Sequence, residues 1–155
     1  MKLIEKIEKY RLIDHTADIG IEVVGDNLSQ LFSNAGYALF DVIADLSLVN
    51  SKVSKSLIIK GRDLEELMVN WLGELIYIFA TKSIIFKEFN IVELSTFKKK
   101  LSEEVEWLKL IAEIKGEKYD CKVHVINTVV KAITYHQLKI MKDSSGWNTR
   151  VILDV

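Results

Sequence analysis

The chain has 155 residues, of which 49% are hydrophobic and 28% charged, so it can bury a sizeable core and lacks the composition of a disordered protein. Its 21 basic and 22 acidic residues give a net charge of −1, which disfavours a protein that holds nucleic acid mainly through phosphate contacts. The single cysteine, Cys121, excludes an internal disulfide bond and a thiolate metal cluster. We expect one cytoplasmic domain over residues 1–155, without a signal peptide or a membrane span.

The first part of the chain predicts two strands and a helix. A short strand is expected at residues 10–14, and a half-buried strand follows at residues 19–25, where the side chains alternate in character. Asn27 is a suitable N-cap, with Gln30 in the position of its capping-box partner. Apolar residues at helical spacing then predict a helix at residues 28–44, whose wide apolar face favours packing against a sheet.

The remainder contains a second helix among several strands. Asp63, with Glu66 three positions later, predicts a helix start, and a strongly apolar pattern continues that helix to about residue 81. Because helices and strands do not alternate strictly, we expect an α+β fold with two layers, in which two main helices pack on a mixed, largely antiparallel sheet. One or two short strands are expected at residues 84–92. The other predicted elements are strands at residues 53–60, 105–115, 129–132, 135–141 and 150–153, with a hairpin turn at residues 144–146.

The densest polar cluster lies between the first two predicted strands, at residues 14–18 (DHTAD). Asp and Thr side chains bond to nearby backbone and stabilise tight turns, so a plain turn is the ordinary interpretation. Two carboxylates with a histidine between them are also suited to a hard cation or to acid–base chemistry.

A second polar cluster covers residues 131–136 (KAITYH). On a strand, Lys131 and Tyr135 would share one face, while His136 would lie on the other. Such residues are usually surface or packing positions, and the cluster by itself indicates no reaction.

The C-terminal segment combines an apolar strand with acidic groups. Residues 151–153 are of the buried type, which indicates that the terminus is held in the sheet although chain ends normally fray. Asp154 and the carboxylate of Val155 follow at once, and such like charges repel unless a cation or a lysine lies between them.

Several familiar motifs are missing from the sequence. It contains no phosphate-binding glycine loop, no H-E-x-x-H and no C-x-x-C, which disfavours nucleotide binding, zinc chemistry and redox chemistry. His124 is a conceivable partner for Cys121, but these two residues alone do not indicate a nucleophile. The lysine run at residues 98–100 is typical of a solvated turn, with a local nucleic-acid patch as the alternative.

Three segments resemble the archease family, in the right order over nearly the whole chain. They are residues 14–20 (DHTADIG), 130–136 (VKAITYH) and 150–155 (RVILDV). Each motif is modest alone, but three in register are specific. One departure is Cys121, in a segment where the family commonly carries proline, and it leaves the role of His124 open.

The resemblance implies an accessory protein, not an enzyme. Archeases assist the GTP-dependent RNA ligase that joins tRNA exons, by promoting guanylylation of its active-site histidine and multiple turnover. The partner would be this ligase, with RNA contacted only indirectly through it and no membrane involved. Carried over to this chain, the metal ligands would be Asp18, Asp154 and Val155, the last through a main-chain or terminal oxygen.

The resemblance also implies a functional role for Lys131, close to these ligands. Weaker candidates are Asp14, His15, Tyr135 and His136, as positioning groups. An all-oxygen ligand set favours Ca²⁺, with Mg²⁺ or Mn²⁺ as alternatives, over zinc.

Two other functions remain open from the residues. A metal-dependent phosphoester hydrolase would use His15 or His136 as base and Lys131 on the phosphate. A plain RNA-binding or chaperone module is the third interpretation, and the near-neutral charge disfavours its RNA-binding form.

Overall fold

The computed structural model describes residues 9–13 and 17–155. Within them the chain forms eight strands, two α-helices and a short 3-10 turn. In chain order these are β1 (Tyr10–Ile13), β2 (Ile19–Gly25), α1 (Leu28–Ile43), the 3-10 turn (Leu46–Leu48), β3 (Val53–Gly61), α2 (Leu64–Lys82), β4 (Ile84–Phe97), β5 (Trp107–Lys118), β6 (Ala132–Thr134), β7 (Ile140–Asp143) and β8 (Gly146–Asp154).

Both helices start where the sequence predicts, and for the predicted reason. The Asn27 side chain accepts a hydrogen bond from the main-chain N–H of Gln30 at 2.8 Å. The Asp63 side chain accepts one from the N–H of Glu66 at 2.8 Å. Each cap satisfies a helix N–H that has no partner within the helix, which typically stabilises a helix by about 1 kcal/mol.

The strands divide between two sheets, and every pairing among the described residues is antiparallel. The first sheet has the order β1-β2-β8-β6, with β7 also paired to β8. The second sheet has the order β3-β5-β4. The predicted α+β class with two packed helices is therefore confirmed, with two antiparallel sheets in place of the single mixed sheet.

The core lies between the helices and the inner faces of the sheets. The buried Trp71 of α2 donates its indole N–H to the main-chain oxygen of Phe32 in α1 at 2.9 Å. The Phe40 ring lies 5.8 Å from the Phe86 ring and 5.9 Å from the Phe89 ring, which joins α1 to β4. Burying side chains of this size stabilises the fold by about 1.5–3 kcal/mol each. In the described part of the chain, neither helix combines the length and hydropathy of a membrane span.

One predicted strand is longer than expected. Instead of one or two short strands at residues 84–92, β4 is continuous to Phe97. Its register against β5 shifts twice, between Phe86 and Glu88 and between Ile91 and Glu93. Each bulge interrupts the alternation of apolar and polar residues, so the sequence pattern underestimates the strand.

The predicted bounds of the strands at residues 129–132 and 135–141 are wrong, because these strands are β6 (Ala132–Thr134) and β7 (Ile140–Asp143). Residues 129–131 are not in a strand, and residues 135–139 form a turn and a short connection between β6 and β7. The Leu138 N–H donates to the oxygen of Tyr135 at 3.1 Å, and Gln137 has φ +58°, in the left-handed region. That backbone cannot continue a strand, although the turn still buries Leu138 in the core.

Candidate functional site

Three chain segments meet at one end of the first sheet. In the register of β2 and β8, Ile19 pairs with Leu153, and in the register of β6 and β8, Ala132 pairs with Asp154. Asp18 immediately precedes Ile19, and Asp154 immediately follows Leu153. The two aspartates therefore lie at the same end of two paired strands, which the family resemblance implies and no residue pattern indicates.

Asp154 is held at this end of the sheet because the residues that precede it in β8 are buried. Val151, Ile152 and Leu153 are at most 1% exposed, and β8 is paired along both edges. Because side chains alternate along a strand, Asp154 points away from the core face that Leu153 occupies. Asp154 is half-buried, and the half-buried Val155 packs against the core, so the last residues are held in the sheet as predicted.

The segment that carries Lys131 is held by main-chain hydrogen bonds to the end of α1. The N–H groups of Asn127 and Thr128 donate to the oxygen of Ile43 at 2.7 and 3.2 Å. The Lys131 N–H then donates to the oxygen of Asp154 at 2.7 Å. Lys131 is exposed, and its main chain lies beside the strand end that bears Asp154, so its side chain is accessible to another molecule.

The other predicted site residues lie elsewhere or outside the described residues. Asp14 and His15 belong to residues 14–16, between the two described ranges. Tyr135 and His136 are exposed and follow β6, which runs from the position opposite Asp154 to the position opposite Ile152. At about 3.3 Å per residue, this direction carries them away from Lys131.

Tyr135 is exposed and lies in the turn between β6 and β7, where its main-chain oxygen accepts from the Leu138 N–H. It follows Thr134, which pairs with Ile152 in β8. Tyr135 therefore belongs to a neighbouring part of the surface, and the structure does not bring it to Asp18 and Asp154.

The three residues that the family resemblance implies as metal ligands could offer only oxygen at the end of β8. These oxygens are the carboxylates of Asp18 and Asp154 and a main-chain oxygen of Val155. Among residues 9–13 and 17–155, no three His, Cys, Asp or Glu side chains form a cluster suited to a metal ion. A cation here would thus need main-chain oxygen besides the two aspartates, which fits Ca²⁺ or Mg²⁺ and does not fit a His/Cys zinc site.

A cavity of about 390 Å³ lies beside Asp18. On its wall the Tyr10 hydroxyl donates to Asp41 Oδ2 at 2.6 Å. Burial, followed by the neighbouring Asp41 carboxylate, raises the pKa of Tyr10, so the phenol stays protonated and keeps donating. The sequence analysis did not identify this pair, because Asp41 lies outside the apolar stripe of α1 and far from Tyr10 along the chain. The cavity lining includes Tyr10, Leu12, Ile13, Asp18, Ile19, Asp41, Val42 and Thr128.

His124, whose role the sequence leaves open, is buried and fully hydrogen-bonded. Its Nδ1 accepts from the Asp120 N–H at 2.9 Å, so Nε2 carries the proton and donates to Glu117 Oε1 at 2.9 Å. Since both ring nitrogens are engaged, His124 does not serve as a base for the exposed Cys121.

Glu117 is half-buried and joins His124 to two exposed residues. It accepts from the Asn50 N–H at 3.0 Å and lies 3.2 Å from the Lys52 ammonium group. The Asn50 hydrogen bond, followed by the His124 hydrogen bond, lowers the pKa of Glu117 to about 2. The contact fastens residues 119–124 to the second sheet, at the start of the segment that leads to Lys131.

Comparison with known proteins gives one family. The model of the Archease protein family matches residues 10–155. The protein archease of Methanosarcina barkeri is 36% identical over 148 residues, which cover 96% of this chain and 97% of that protein. The protein archease of Pyrococcus abyssi is 35% identical over 150 residues, which cover 96% of this chain and 100% of that protein.

Two solved structures resemble this chain in fold. The solution structure of protein 1598 of Methanobacterium thermoautotrophicum has a TM-score of 0.77 and 30% identity, and covers 96% of this chain and 100% of its own. The crystal structure of an archease, possible chaperone, from Thermotoga maritima has a TM-score of 0.56 over 100% of both chains. At 20% identity, that second likeness concerns the fold alone.

Proposed function

Since this chain belongs to the archease family, we propose that it acts as a non-enzymatic activator of the GTP-dependent RNA ligase that joins tRNA exons. In this role it promotes guanylylation of the active-site histidine of the ligase and sustains multiple turnover. The observation that supports the proposal is the position of Asp154, which ends a buried central strand between the segments bearing Asp18 and Lys131.

Asp18, Asp154 and a main-chain oxygen of Val155 hold a divalent cation in this proposal. Ca²⁺ is the first candidate, and Mg²⁺ or Mn²⁺ are alternatives, because the donors are all oxygen. When bound, the cation offsets the repulsion between the two carboxylates and supplies positive charge to an anionic ligand.

Lys131 supplies a second positive charge at the same end of the sheet. Its backbone is held by Asp154, while its exposed side chain is available to a phosphate or a carboxylate of the partner. Asp14 and His15 act as positioning groups in the proposal, and Tyr135 and His136 do so from the neighbouring turn. The polar end of the sheet thereby enters the ligase active site and orients nucleotide or protein groups there.

A guanylylation assay tests the proposal directly. Purified ligase and labelled GTP are mixed with an equimolar amount of this protein, without RNA, and covalent guanylate is counted. We expect faster labelling with wild type and loss of the stimulation with Asp18→Ala, Lys131→Ala or Asp154→Ala. Matched controls are Asp26→Asn and Lys122→Ala, which change exposed residues outside the site.

Absence of any acceleration by the wild-type protein would contradict the activator role. The same protein without ligase, incubated with a phosphoester, tests the hydrolase alternative, and we expect no turnover there.

Metal binding is tested separately by thermal shift after chelation. Added Ca²⁺ should raise the melting temperature of wild type, because a ligand that binds only the folded state stabilises it. Asp154→Ala should lose this response. If Asp18→Ala keeps the full response, Asp18 is not a ligand.

A further inference from the structure

The second sheet has an outer face that no helix covers. The inner face carries the buried residues Ile59, Leu110, Ala112 and Ile114. Side chains alternate along each strand, so Trp107 and Lys109 of β5 point to the opposite face. On that outer face, Ile58 of β3 is 61% exposed.

Two aromatic residues close the far end of this face. Phe97, the last residue of β4, pairs in register with Trp107, the first residue of β5. Directly paired residues share a face, so the two rings stand side by side at the end of the β4–β5 hairpin. Both are half-buried and keep part of their surface open to solvent.

Lysine side chains lie over both rings. The ammonium nitrogen of Lys99 is 3.8 Å from the centroid of the Trp107 ring, and that of Lys60 is 5.3 Å from the centroid of the Phe97 ring. Lys99 belongs to the exposed run at residues 98–100 that follows β4. In the part of the chain that the structure describes, neither Lys60 nor any lysine of this run forms a salt bridge.

We propose that this hairpin surface, formed by Lys60, Phe97, Lys98, Lys99, Lys100 and Trp107, binds single-stranded RNA. Flat aromatic rings stack on bases of any sequence, and lysines beside them neutralise the backbone phosphates. Lys99 lies in an exposed loop, so it can leave the Trp107 ring to a base and meet the adjacent phosphate. The inference goes beyond the activation of the ligase and does not depend on it.

The surrounding charges limit the affinity. Lys109 is paired with Glu93 at 3.6 Å, and Glu103, Glu104 and Glu106 lie in the same loop as the lysine run. Binding should therefore be weak, with a Kd on the order of 10⁻⁴ to 10⁻⁵ M, and should weaken as salt rises.

Fluorescence anisotropy with a labelled oligouridine of about twelve nucleotides measures the binding. Relative to wild type, the triple variant Lys98→Ala/Lys99→Ala/Lys100→Ala should bind at least tenfold more weakly, with a salt dependence reduced by about two units of slope. Trp107→Ala should weaken binding about tenfold, while Trp107→Phe should keep most of it because a ring remains for stacking.

The matched control removes the same charge elsewhere. The triple variant Lys118→Ala/Lys122→Ala/Lys139→Ala changes three exposed lysines outside the hairpin surface and should bind as wild type does. The proposal would be overturned if the two triple variants lost affinity for oligouridine equally, or if the wild-type protein did not bind oligouridine. Circular dichroism of each variant confirms that it is folded.

Two further measurements separate this site from the ligase-activating site. In the RNA-free guanylylation assay the hairpin triple variant should stimulate as wild type does, whereas Asp154→Ala should fail there and still bind RNA. If the hairpin triple variant lost affinity for the purified ligase and wild type did not bind oligouridine, the surface would be a protein-docking face and the proposal would be wrong.

Discussion

The main-chain N–H of Lys131 donates to the carbonyl oxygen of Asp154 across 2.7 Å, so these two functional candidates are joined through backbone and not through side chains. The relative position of the two main-chain segments therefore does not require a contact between the two side chains. This separation allows function and stability to be tested independently at position 131.

Substitution of Lys131 should show this separation. Lys131→Ala keeps the N–H, so we expect unfolding free energy within about 0.5 kcal/mol of wild type and loss of ligase stimulation. Lys131→Pro removes the N–H donor, so besides losing the stimulation it should lower the unfolding free energy by about 1–3 kcal/mol. Urea denaturation measures both. Equal stability of the two variants would show that the hydrogen bond to Asp154 does not contribute.

The buried His124 should matter for stability and not for chemistry. His124→Ala removes both hydrogen bonds of the ring and leaves a cavity, because the side chain is 0% exposed. We expect a loss of about 2–4 kcal/mol in unfolding free energy. Cys121→Ser, an exposed substitution in the same segment, is the control and should change it by less than about 0.5 kcal/mol. A neutral His124→Ala would contradict the structural role.

Acid should destabilise the protein partly through Glu117. Its pKa is about 2 in the folded protein against 4.5 for the free side chain, so the unfolded chain takes up a proton at higher pH. The stabilisation is present above pH 4.5 and is lost as pH falls toward 2. Melting temperatures across this range should fall less steeply for Glu117→Gln than for wild type. Parallel curves would exclude Glu117 as a contributor.

Replacement of two glycines by alanine should change the stability of the protein in opposite directions. A Cβ atom at Gly116 would lie 1.9 Å from the oxygen of Ile85, so Gly116→Ala forces β4 and β5 apart and should cost about 3 kcal/mol. At Gly73, inside α2, a Cβ atom meets nothing within 4 Å. Gly73→Ala should therefore stabilise by about 1 kcal/mol. The midpoints of chemical denaturation should move in opposite directions.

The local features of the fold were predictable from sequence, and the failures have physical causes. Asn27 and Asp63 mark the starts of the two helices in the sequence because an N-cap side chain accepts a hydrogen bond from an N–H only three residues later. The apolar residues around Leu138 suggested a strand, yet burial was achieved by a turn at Gln137, and apolarity does not distinguish the two. The length of β4 was underestimated because its two bulges interrupt the alternation of apolar and polar residues.

The candidate site was less accessible to local reasoning. Asp18 and Asp154 come to the same sheet end through the pairing of β2 with β8, which lie at opposite ends of the chain. No residue pattern encodes that register, and only the family resemblance suggested it. The contacts of Tyr10 with Asp41, and of His124 with Glu117, are likewise tertiary contacts between side chains that sequence does not pair.

The central place of β8 has a consequence for the order in which the protein matures. β3, α2, β4 and β5 follow one another along the chain and pair among themselves, so they can fold while synthesis continues. β2 pairs with β8, which comes much later in the chain, and contacts of such long sequence separation form slowly. The insertion of β8 therefore completes the first sheet and brings Asp154 to Asp18 in one event. A chain that lacks β8 should therefore have neither the complete first sheet nor the pairing that places Asp154 beside Asp18.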